Sequence, residues 1–172
     1  MIKTDISNNK IYLEMIRLAL AQLNKPYVHG GHGPDNFDCA GLIWYLYNEL
    51  LGINIYENGY GESTTTQIMT NSYGNISTYD EDNRDKNIDL LTIGDILFFH
   101  RQSLKDNIPK KDNKYPGHCG LYLGENNFIH CTIKTGCVSI NNLYKDIYWY
   151  QKLVGFQSII NDGNIILKKE MR

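Results

Sequence analysis

Asn36-Phe37-Asp38-Cys39-Ala40-Gly41-Leu42-Ile43-Trp44-Tyr45-Leu46 is the stretch on which the reading of the chain depends. Gly30-Gly31-His32-Gly33-Pro34 precedes it and fits neither a regular helix nor a strand. From Cys39 onward, apolar residues fall at Cys39, Leu42, Ile43, Leu46 and Leu50, one stripe at helical spacing, so a helix is predicted to start here. Asp38 is suited to cap it, because its carboxylate can accept the free amide hydrogens of the first turn, and Gly52 is suited to end it. A thiol therefore stands in the first turn of a buried helix, behind a glycine-rich loop. The partial positive charge of a helix N-terminus favours the thiolate, which is the nucleophile in acyl transfer. The glycines let a substrate backbone come close. Taken alone, Cys39 reads as a small core residue, since free cysteines are usually buried and inert. Nucleophilic chemistry requires a base elsewhere in the chain.

A chain of 172 residues fits a single domain, 1–172, and is long enough to bury a core without disulfides. A net charge of −2 argues against nucleic acid or an anionic membrane as partner. The four cysteines follow neither a disulfide framework nor paired metal-site spacing. Met1-Ile2-Lys3-Thr4-Asp5 does not lead into a signal peptide, and no apolar run is long enough to span a bilayer.

Along the chain, Ile11 to Leu23 reads as an amphipathic helix that turns its Ile11, Met15, Leu18, Ala19 and Leu23 to one side and stops at Asn24-Lys25-Pro26. Tyr27-Val28-His29 is a short extended piece entering the glycine loop. A short helix is expected at Ser63–Met69, a polar surface loop at Tyr79–Asn87, and a strand at Ile96–His100. Residues 101–117 carry Lys105, Lys110, Lys111 and Lys114 without periodicity. They read as a long exposed loop, either a solvated insertion or a basic flap facing an acidic substrate.

Two strands then follow, His118-Cys119-Gly120-Leu121-Tyr122-Leu123 and Phe128-Ile129-His130-Cys131-Thr132-Ile133, joined by a turn at Gly124–Asn127. Gly136–Ile140 is a further strand, and Tyr148–Tyr150 and Leu153–Phe156 read as closing strands. A turn is expected at Asn161–Gly163. Successive strand residues face opposite ways. Cys119, Leu121 and Leu123 share one face, and Ile129, Cys131 and Ile133 do likewise, so these belong in the core. His118 and His130 leave that face and can meet on the other, provided that the hairpin loop is odd in length or bulged. The alternation also argues against zinc, because His118-Cys119 and His130-Cys131 send their four donors to opposite faces and cannot easily close a tetrahedron. No metal or organic cofactor is expected. A helix-start thiol with two imidazoles on one sheet face supplies nucleophile, base and orienter. His118 would exchange the proton with Cys39, and His130 would hold the His118 ring in one tautomer.

The run from Lys25 through Leu42 resembles the nucleophile motif of the NlpC-type bacterial cell-wall cysteine peptidases. Gly94-Asp95-Ile96-Leu97-Phe98-Phe99 resembles that family's next strand motif, and His118–Gly124 and Phe128–His130 resemble its base and third-residue motifs. The likeness runs along about residues 20–160, and three motifs in the right order are far more specific than any one of them. It implies a papain-like α+β fold, with the nucleophile helix packed on an antiparallel β-sheet that carries the base. It also implies hydrolysis of peptidoglycan stem peptides or muropeptides, often between γ-D-glutamate and a diamino acid. Cys39 matches the nucleophile, His118 the base and His130 the third polar residue. Tyr27 matches a tyrosine whose hydroxyl lies near the nucleophile, and Asp38 an aspartate that grips the substrate's free amine. The backbone amide of Cys39 would serve as an oxyanion donor. Three features depart from the pattern: Ala40 stands where serine is usual, His29 where an aromatic is common, and 101–117 is longer than expected.

Without an export signal, delivery to the wall by a phage tail, a contractile particle or lysis is expected, with cytoplasmic recycling of wall fragments as the alternative. Two rival functions share these residues. One is a papain-like amidase or acyltransferase acting on a non-wall substrate. The other is an inactive module that binds wall peptide or a tail protein.

Overall fold

The computed structural model describes residues 2–55, 75–78, 84–100 and 117–160. Helix α1, Ile2–Leu20, runs further toward the N-terminus than its apolar stripe predicts. Ile11, Met15 and Ala19 are buried as the stripe requires. Helix α2 is Cys39–Leu51. Asp38 caps it, its Oδ1 accepting from the Gly41 amide at 2.8 Å, and Gly52 ends it in the left-handed conformation with φ 70°. Of its residues, Ala40, Leu42, Ile43, Leu46 and Tyr47 are all essentially out of water. Among the described residues, no helix is long and apolar enough to cross a membrane.

The sheet comprises β1 (Asn75–Thr78), β2 (Ile96–Phe99), β3 (His118–Gly124), β4 (Asn127–Thr132), β5 (Cys137–Asn142) and β6 (Leu153–Ser158). Their order is β1-β6-β2-β3-β4-β5, and every pairing is antiparallel. Short helices α3 (Arg84–Ile88) and α4 (Ile147–Lys152) complete the described elements.

Both faces of the sheet are covered. On one, α2 packs across β3 and β4 and α1 packs on α2. The core between them takes Ile96, Phe98, Cys119, Leu121, Ile129, Cys131 and Val138 from the strands. On the other face a second, aromatic-rich core gathers Leu97, Phe99, Tyr122, Phe128, Trp149 and Phe156. Strand β2 divides its alternate residues between the two, which is why all four are buried.

Three sequence expectations are corrected. Tyr148–Tyr150 is not a strand but the middle of α4. Aromatic residues favour strands, but Asp146 overrides that preference by accepting the Tyr148 amide with its side chain and capping a helical turn. Part of the expected loop Tyr79–Asn87 is α3, where Ile88 is buried in the aromatic core. Ile133 does not extend the apolar face of β4: the strand ends at Thr132, the chain turns, and Ile133 is 70% exposed. The expected helix at Ser63–Met69, the turn at Asn161–Gly163 and the insertion 101–117 lie, apart from Gly117, outside the described residues.

Candidate active site

The glycine loop and α2 are built against each other. Asp38 Oδ2 accepts from the Gly30 amide at 3.0 Å while Oδ1 holds Gly41, so one buried carboxylate ties the loop to the helix start. Gly41 is where the two backbones meet: a Cβ there would collide with the Gly31 carbonyl and press on His32 Cα at 2.9 Å. Cys39, the first residue of α2, is half-buried. Tyr27 is close enough that burial and then the charge of Cys39 and Asp38 push its phenol upward. Tyr27 is thus within electrostatic reach of the thiol, and the Asp38 bonds to Gly30 and Gly41 are structural.

Cys131 joins this half of the site to the sheet. Its Sγ donates to the Phe37 carbonyl at 3.3 Å, fixing the approach to α2 on β4. Burial, followed by the charge of Cys39, pushes the Cys131 thiol up to about 12, so it remains protonated and apolar in the core. Cys119 is also fully buried in that core.

The two histidines meet on the opposite face, as the alternation requires. A register shift between Tyr122 and Gly124 supplies the bulge that the hairpin needs. His118 Nε2 lies 2.9 Å from His130 Nδ1. Gly120, on the same face, makes room: a Cβ there would lie 2.9 Å from the Phe128 ring and 3.3 Å from His130 Cβ. His130 is not solvent-facing but wholly buried in the aromatic core. Its ring centroid lies 4.7 Å from that of Trp149 and 4.8 Å from that of Phe128, both edge-on, while Trp149 lies 5.0 Å from His118 at 31°. Burial, followed by the charge of His118, pulls His130 down to about 3, so it is neutral at physiological pH. His118 and His130 thus lie on the face away from Cys119 and Cys131, which separates the four candidate zinc donors.

Sequence reasoning missed two residues. His130 Nε2 lies 2.8 Å from Asn141 Oδ1, and Asn141 Nδ2 donates to Asp146 Oδ2 at 2.9 Å. The signal for Asn141 was its register. His130 pairs with Ser139 on β5, so Asn141, two residues on, shares its face. The signal for Asp146 was its place before a run that proves helical.

A helix-start thiol beside an antiparallel sheet that carries a bonded imidazole pair defines a papain-like α+β protein. The NlpC/P60 family profile matches residues 24–158, and the chain belongs to that family. It is 30% identical over 149 residues to the probable endopeptidase YafL of Escherichia coli K12, covering 84% of this chain and 49% of YafL. It is 28% identical over 142 residues to the probable peptidoglycan endopeptidase LytE of Bacillus subtilis 168, covering 83% of this chain and 33% of LytE. The chain thus spans half or less of these relatives. Among solved structures, NlpC1 from Trichomonas vaginalis superposes with a TM-score of 0.58 at 24% identity, over 84% of this chain and 42% of that one, and shares the fold.

Proposed function

We propose that the protein is a cysteine peptidase that cleaves peptidoglycan stem peptides at γ-D-glutamyl–diamino acid amide bonds, through a thioester acyl-enzyme. The observation that carries this reading is the 2.9 Å bond between His118 and His130 in a chain of this family, with Cys39 at the start of the helix packed on the same strands. His118 Nε2 is committed to His130, so Nδ1 is the atom that would take the proton from the Cys39 thiol. The thiolate attacks the amide carbon, and the oxyanion draws on the Cys39 backbone amide. The His118 imidazolium then protonates the leaving amine, and the same ring activates the water that hydrolyses the thioester. Tyr27 would place its hydroxyl beside the reacting carbonyl. Asp38 would add its negative charge to attract the free amine of the stem peptide while holding the loop in place. Supporting the choice of wall peptide are YafL and LytE, named as probable endopeptidases, the latter for peptidoglycan.

Digestion of purified muropeptides, followed by mass spectrometry, tests the proposal. Products split after γ-D-glutamate are expected from the unaltered protein and none from Cys39→Ala, whose thermal unfolding should shift by no more than a few degrees. Intact muropeptides, alongside turnover of an acyl-lipid or protein amide, would move the site to another substrate.

A further inference from the structure

We propose that Asn141 and Asp146 are positioning residues: acting through His130, they determine which nitrogen of His118 is the base. The inference rests on the reading of His118 as the proton acceptor for Cys39, and it adds two residues to the machinery.

The direction of every bond in the chain follows from its far end. The Asp146 carboxylate only accepts, and its Oδ1 already accepts the Tyr148 amide at 3.2 Å. Its Oδ2 therefore receives a hydrogen from Asn141 Nδ2, which orients the Asn141 amide and turns Oδ1 toward His130. An amide oxygen cannot donate, so His130 Nε2 must carry the hydrogen of that bond. A neutral imidazole has one N–H, so His130 Nδ1 is left as an acceptor, and the donor facing it is His118 Nε2. The neutral His118 ring then has its lone pair on Nδ1. If the Asn141 acceptor is removed, nothing prevents His130 from placing its hydrogen on Nδ1. That tautomer donates to His118 Nε2 and forces the hydrogen of His118 onto Nδ1, where the base is needed. The switch thus acts across two rings without moving either one.

The arrangement is anchored. Asp146 caps α4, and Trp149, three residues further on, packs against both imidazoles, so one short helix supplies both the polar end and the aromatic wall. Swapping the two outer residues should preserve the scheme. In Asn141→Asp/Asp146→Asn, the new carboxylate accepts from His130 and from the new amide, whose oxygen accepts the Tyr148 amide.

The experiment records imidazole nitrogen spectra of Cys39→Ala protein at neutral pH, and iodoacetamide alkylation of Cys39 against pH in protein that keeps the thiol. Nε2–H on both rings is expected in the parent and in the double swap. In Asn141→Leu a substantial Nδ1–H population is expected, with alkylation at pH 7 slowed by about tenfold or more and its inflection moved upward. Should Asn141→Leu not fold, Asn141→Ala is read in its place. Unchanged tautomers and alkylation in Asn141→Leu, or their loss in the double swap, would overturn the proposal. Neither readout needs a substrate, so a protein inert on muropeptides that shows these shifts would keep the relay and lose only the proposed substrate.

Discussion

His130 has lost all contact with water but keeps both ring nitrogens bonded, and that combination gives the fold a pH dependence. The unfolded chain takes a proton on this residue near 6.5, the folded one only near 3, so acidification through that window favours unfolding. Asp95 has the opposite sign. Burial raises its carboxyl from 3.8 to about 6, against the Thr92 amide bond at 2.7 Å that pulls it down. The folded state then binds the proton more tightly, and stability on its account falls as pH rises from about 4 to about 6. Each group alone changes stability by at most about 1.4 kcal/mol per pH unit. Asp95→Asn, by removing the opposing group, should therefore steepen the loss of urea resistance between pH 6 and pH 4. An unchanged slope across that range would mean Asp95 titrates as it does in water. The pairing of His118 with His130 was legible in the sequence, because alternation is a property of adjacent positions. Their burial was not, because it depends on α4 and on Trp149, which alternation in the hairpin cannot report.

Helix α2 and its loop were the most legible elements: Asp38, Cys39 and Gly52 take the places their chemistry suggests. The contact at Gly41 was not legible, because a glycine inside a helix reads only as a mild weakness until the backbone crossing it is known. Gly41→Ala should cost about 1–3 kcal/mol, the usual range for overpacking, since the obstructing atoms belong to the Gly31 backbone and cannot rotate away. Urea denaturation measures it, and a neutral result would show that the loop can lift off the helix. The error at Tyr148–Tyr150 has a similar origin. A short helix held by one cap and one buried residue, Trp149, carries little periodicity of its own, and the aromatic residues that the second core requires are also those that favour strands.

Across the whole molecule, the decisive feature is that β6 lies inside the sheet, bonded to β1 on one side and β2 on the other. Nothing in the local sequence signals this, because the paired residues are 54 or more positions apart in the chain. A version ending at Lys152 would leave β2 without a neighbour on that side and strip Leu153 and Phe156 from the aromatic core. It should give neither a cooperative thermal transition nor dispersed amide resonances. A cooperative melt from that version would show that β2 to β5 are sufficient. Order along the chain also sets order in time. As the polypeptide leaves the ribosome, the β3–β4–β5 meander can pair almost at once, because its turns are short. The sheet cannot be finished until Ser158 has emerged from the exit tunnel, so a growing chain would carry its thiol well before it has the completed scaffold around it.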